Sequence, residues 1–168
     1  PELEQLHAMV EAIGTERAID LRDRAMLRLA LDSGLRISEV ASLDIPGAGT
    51  QTAIDLRRQI AHVVGKGGNT ETVPFNERTG RMVEDYLRVR HELAAPGELA
   101  LFPTARGKRP TRQALHELIK RRAAAAGMPE LHWHMLRHRR ISQIVATCGT
   151  KVAQQIARHA SESTTGHY

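Results

Sequence analysis

The sequence predicts a mainly helical fold that carries one small antiparallel β-sheet, an α+β arrangement, and three observations predict it. Apolar residues recur at three- and four-residue spacing from Leu3 to Leu43. β-prone runs are confined to residues 52–75, around a glycine-rich interval. Helical patterning, punctuated by glycine and proline, then returns from Arg81 towards the end of the chain. With 168 residues, the chain has the length of one ordinary domain that buries a core without disulfide or metal staples. Residues 1–168 are therefore expected to form a single domain.

The elements follow in order. Leu3, Leu6, Val10 and Ile13 share a helical face, and Gly14 ends that first helix. A second helix is expected from about Thr15, with Ile19, Ala25, Met26, Leu29 and Ala30 as its apolar set and Gly34 as a left-handed C-cap. Ile37, Val40, Ala41 and Leu43 predict a third short helix, stopped by Ile45-Pro46-Gly47. Ile54 to Leu56, Ile60 to Val64 and Thr70 to Val73 read as short strands, with Gly65-Lys66-Gly67-Gly68-Asn69 as a hairpin turn. Arg81 to Glu92 reads as helix and is broken at Ala95-Pro96-Gly97. Arg106 to Pro110 reads as an irregular basic loop. Thr111 is placed to cap a helix that runs to about Ala126 and closes at Gly127. Trp133 to Tyr168 reads as two or three helices punctuated by Gly149 and the polar run Ser161 to Thr165.

Composition narrows the function. Lys and Arg number 24 against 19 acidic residues, a net charge of +5 that favours a polyanionic partner. Arginine outnumbers lysine twenty to four, which fits phosphate recognition by its bidentate fork and equally fits a coding bias. Aromatic residues make up only 3% of the chain, too few for the stacking platforms of single-strand binders. A duplex gripped through its phosphates is the better expectation. Cys148 is the only cysteine, which excludes an intrachain disulfide and suits a cytoplasmic setting. No apolar run approaches the roughly 18–20 residues that span a bilayer, and no membrane partner is expected.

Four stretches carry chemistry. In Ser33-Gly34-Leu35-Arg36-Ile37-Ser38-Glu39, a glycine-ended helix followed at once by another projects Arg36 at a tight junction, with Glu39 three residues on to orient it. Lys66 holds an ammonium at a hairpin tip. The surrounding glycines lack the spacing of a nucleotide-binding P-loop, and a strand follows rather than a helix. His134, Arg137 and His138 are helical neighbours at three- and four-residue spacing. Two histidines so spaced suit zinc, but Met135 replaces the glutamate of a zinc-protease helix and Arg137 would put a fixed positive charge beside the metal, so no metal is expected. Finally, His159 precedes Tyr168 across a polar turn.

In concert Gly34-Leu35-Arg36-Ile37-Ser38-Glu39, Gly65-Lys66-Gly67, His134-Met135-Leu136-Arg137-His138 and Ser161 to Tyr168 resemble the signature boxes of the tyrosine recombinases of the phage integrase family, over nearly the whole chain. The resemblance implies their catalytic-domain fold and a site-specific strand exchange without metal or other cofactor. Tyr168 would attack a phosphodiester to give a 3′-phosphotyrosyl enzyme and a free 5′-hydroxyl. Arg36 and Arg137 would meet the charge on the phosphorus oxygens, His134 would accept the tyrosine proton, Lys66 would protonate the leaving oxygen, and His159 would hydrogen-bond the scissile phosphate. Glu39 and His138 would support the site. Lys108, Arg109, Arg112 and Arg158 are candidates for DNA contact. The expected partner is double-stranded DNA, bound by the full-length protein as a homo-tetramer with accessory DNA-bending proteins.

Departures from the family pattern stand at Met135, where aspartate is common, at Trp133, where proline often precedes the histidine, and at Arg158, where glycine is frequent. The N-terminal clamp domain and the segment after the nucleophile are expected to be absent from this chain, leaving it monomeric in solution with weak DNA affinity. Two alternatives remain, a noncatalytic DNA-binding module of the same fold and a type IB topoisomerase-like enzyme.

Overall fold

The structure is a computed structural model that describes residues 1–65 and 68–161, with 148–161 as backbone only. It is mostly helical with one small sheet. Helices α1 (Leu3–Glu11), α2 (Ala18–Ser33) and α3 (Ile37–Ser42) lead into strands β1 (Ile54–Asp55), β2 (Ile60–Val64) and β3 (Thr70–Pro74). Helix α4 (Glu77–Val89), a short 3-10 turn, α5 (Arg112–Ala125) and α6 (Trp133–Ser161) complete the described part. The sheet is antiparallel in the order β1-β2-β3, with Ile60 opposite Pro74 and Val64 opposite Thr70.

Helix α2 is the axis of the fold and packs against α1, α4 and α6. Met26, Leu27, Leu29, Ala30 and Leu31 are all buried, and a helix apolar around most of its circumference belongs in a core. It starts at Ala18 and not near Thr15, because Arg17 takes the extended N-cap conformation and its Nε donates to Asp20 at 2.6 Å. Gly34 closes the helix with φ +68°, the left-handed geometry expected of it. Thr111 caps α5 as expected, accepting from the Ala114 N–H at 3.1 Å.

Two more helices differ from expectation. Helix α4 begins at Glu77 and not at Arg81, because the Asn76 side chain accepts from the Thr79 N–H at 2.9 Å and caps it. The third difference of span is larger in consequence: α6 is one helix and runs through Gly149. A single glycine costs a helix only about 1 kcal/mol relative to alanine, too little to end it by itself.

Candidate active site

The cleft between α6, the α2–α3 junction and β2–β3 brings together three of the predicted residues, Arg36, Glu39 and Arg137. It has a volume of about 490 Å³, and Gly34, Arg36, Glu39, Glu71, Arg137 and Arg140 are among the residues that line it. Its floor is the turn at Gly34 and Leu35. Two residues of α6, one turn apart, hold the successive carbonyls of that turn: Arg137 donates to the Gly34 oxygen, and the buried Trp133 donates from Nε1 to the Leu35 oxygen at 3.1 Å. The junction that projects Arg36 is thus fixed to the helix that carries Arg137.

Glu39 holds Arg36 twice. Its Oε2 accepts from the Arg36 backbone N–H at 2.6 Å, and its Oε1 accepts from Nη1 at 2.7 Å. The carboxylate is buried while the Arg36 side chain stays 35% exposed, so the anchored end lies inside and the fork faces the cleft. Arg137 is different. Among the described residues no carboxylate lies within salt-bridge distance of it. Burial lowers its pKa from the usual arginine value and the neighbouring Arg36 lowers it further, against a smaller opposing effect of Glu39. An arginine still keeps its charge at neutral pH. Two guanidiniums that disfavour each other, one without a counterion, form a site for an anion with several acceptor oxygens.

The remaining predicted residues are placed as follows. His134 and His138 are exposed on the first turns of α6, and His138 has no hydrogen-bond partner among the described residues. Lys66 and Tyr168 lie outside the described residues, as do the side chains of Arg158 and His159. The hairpin base is described, and a Cβ at Gly65 would stand 2.0 Å from Glu71 Oε1, so a side chain there would displace the Glu71 carboxylate. Lys108 and Arg112 are exposed near the start of α5. Arg109 is exposed as well, and it donates to Asp44 and to the Ala41 carbonyl at 3.1 Å. It braces the α3–β1 connection, and its guanidinium is spoken for.

Sequence reasoning missed two contributors to this cleft. Trp133 entered only as a departure from a pattern, although an indole is a donor that a buried carbonyl needs. Arg140 was passed over, although its position three residues after Arg137 is a signal that both share a helix face.

One further tyrosine bears on the chemistry. The chain has two, and Tyr86 is fully buried, stacked on Phe102 with ring centroids 5.7 Å apart. Burial pushes its hydroxyl well above the usual tyrosine value. It is withdrawn from phosphate chemistry.

Known proteins share this chain's sequence pattern and fold. The sequence profile described as the Phage integrase family matches residues 2–168. Tyrosine recombinase XerC 1 of Ralstonia nicotianae is 33% identical over 178 residues, 99% of this chain and 54% of that protein. The crystal structure of XerA recombinase superposes with a TM-score of 0.77 at 23% identity, covering 97% of this chain and 56% of that one. XerH site-specific recombinase bound to its difH substrate gives 0.74 at 21% identity, covering 95% and 46%. The chain spans about half the length of the curated relatives it matches.

Proposed function

The chain belongs to the phage integrase family, and from that premise we propose that it cleaves and rejoins double-stranded DNA at specific sites, with Tyr168 as nucleophile. One observation carries the reading: Arg36 and Arg137 open on the same cleft, and Arg137 has no carboxylate partner among the described residues. A phosphate is the anion that uses both forks, because each guanidinium presents paired N–H donors to its nonbridging oxygens.

The chemistry needs little else. The Tyr168 oxygen attacks phosphorus and the bond to the 5′ oxygen breaks, leaving a 3′-phosphotyrosyl enzyme and a 5′-hydroxyl; a 5′-hydroxyl later attacks that bond and releases the tyrosine. Negative charge grows on the nonbridging oxygens in each step, where Arg36 and Arg137 meet it. A tyrosine hydroxyl ordinarily titrates near 10, so it gains from a base, the role given to His134. Lys66 protonates the departing oxygen, and His159 hydrogen-bonds the phosphate. Tyr86 is too deeply buried to replace Tyr168. The same reading includes a homo-tetramer on DNA, assembled by the full-length protein with accessory DNA-bending proteins.

A nicked duplex carrying the recombination site tests this, because the cleaved fragment diffuses away and traps the covalent adduct. The full-length protein yields an adduct and Tyr168→Phe yields none. An adduct that survives Tyr168→Phe identifies another nucleophile, and duplex binding without any adduct points to a module that no longer cuts.

A further inference from the structure

A third guanidinium lines the cleft. Arg140 follows Arg137 by three residues on α6, so the two side chains leave the same face of the helix. Its stem lies over the α2–α3 junction, where a Cβ on Gly34 would meet Arg140 Cγ at 3.3 Å. The absence of that Cβ lets an arginine pack here.

The head of Arg140 is held loosely. Nη1 donates to Gln143 Oε1 at 2.9 Å, on the same helix. Nη2 stands 3.7 Å from Asp32 Oδ1, beyond hydrogen-bond reach. Nε is buried with no hydrogen-bond partner among the described residues. Asp32 is committed to a different element, since its Oδ2 accepts from the Asn76 backbone N–H and from Thr79 Oγ1 at 3.0 Å. The buried acid therefore braces the start of α4 while giving Arg140 only a distant counter-charge. A cation so placed gives up little when an anion enters the cleft.

We infer that Arg140 is a positioning residue for DNA, which turns from Asp32 to a backbone phosphate next to the scissile one. The inference rests on the DNA-cleaving reading and adds a contact outside the residues that perform the cleavage. Arg36 and Arg137 already supply two forks for the two nonbridging oxygens of one phosphate. Arg140 stands about 4.5 Å further along the helix axis, three residues at the α-helical rise, so its fork is offset from that pair and the neighbouring phosphate is the next acceptor along the strand. Its contact carries no sequence preference and fixes the register of the strand over the tyrosine.

Equilibrium binding of the full-length protein to a duplex of about 30 base pairs and arbitrary sequence, titrated at several salt concentrations, tests the contact. Loss of one phosphate contact lowers the slope of log K against log salt by about 0.9. Arg140→Gln is expected to show that loss, and Arg140→Lys to keep the wild-type slope, since an ammonium still neutralises a phosphate. Arg81→Gln, at an exposed site paired with Glu77 at 3.2 Å, is expected to keep it too. A purely structural arginine would lower the melting temperature and leave the slope alone. A wild-type slope in Arg140→Gln, or a lysine variant that falls with it, overturns the inference. A full-length wild type that does not bind duplex overturns the DNA reading as well, whereas a protein that binds but forms no adduct removes only the cleavage chemistry.

Discussion

The seam between α2 and α5 and the cleft between α2 and α6 both gather arginines, yet the two regions treat charge in opposite ways. In the seam, Asp20 accepts from Arg17 at 2.6 Å and from Arg122 at 2.5 Å, while Asp23 pairs with Arg22 and, at 2.7 Å, with Arg122. Arg22 also donates to the Pro103 carbonyl at 2.8 Å. Every guanidinium there has a carboxylate. In the cleft, Arg137 has only a carbonyl among the described residues, and Arg140 donates to Gln143 and has a carboxylate out of bonding range. The arginine excess of the sequence therefore has no single meaning, since some of it locks helices together and some of it waits for an anion. Pairing, not abundance, separates the two uses, because a partly buried charge without a partner is costly unless a ligand supplies one.

Breaking the seam should give the largest effect. Asp23 is 1% exposed, and Asp23→Ala leaves Arg22 and Arg122 short of a counterion between two helices. Removing one partner of a buried pair costs about 3–5 kcal/mol. Urea unfolding is expected to register that loss, and a midpoint within experimental error of wild type would show the seam to be ornamental to stability. Arg137→Ala probes the other side of the contrast. Adduct formation on the nicked duplex is expected to fall about 10²- to 10³-fold, as when one preorganised donor to a developing oxyanion is removed. The melting temperature should move less than in Asp23→Ala, because the substitution removes a charge that lacks a carboxylate among the described residues, at the loss of one hydrogen bond to the Gly34 carbonyl. A large drop in stability with unchanged adduct formation would reverse the assignment of the two regions.

The legible parts of this fold are those with a local cause. Gly34 ends α2, Thr111 starts α5 and β2 pairs with β3 on either side of the glycine-rich interval because each of these depends on residues within a few positions. Arg36 and Glu39 find each other for the same reason. What the sequence hid depends on distant partners. Arg109 reads as part of a basic loop, but Asp44, far away in the chain, takes its guanidinium. Trp133 reads as an oddity until the Leu35 carbonyl is seen beneath it. The start of α4 was hidden differently: Asn76 is a good cap, but the apolar spacing that announces a helix begins only at Met82. Gly149 misled in the other direction, since a residue that favours breaks does not compel one.

Acid sharpens the contrast with the smallest effect. The Arg17 hydrogen bond, together with Arg122, holds the Asp20 carboxyl below its ordinary value of 3.8 despite burial. A carboxylate whose folded pKa lies below its unfolded one stabilises the protein fully above about pH 4 and loses that contribution as pH falls through the folded value. The seam should therefore weaken below pH 4. Asp20→Asn is expected to flatten that part of the stability profile, whereas Arg137→Ala should leave its shape unchanged, because an arginine titrates far above this range even when burial lowers it. Denaturant midpoints measured between about pH 2 and 6 decide it, since the unfolded carboxyl titrates near 3.9. If Asp20→Asn keeps the full acid slope, carboxylates outside the seam govern it, and the paired arginines of α2 and α5 contribute through geometry rather than through charge.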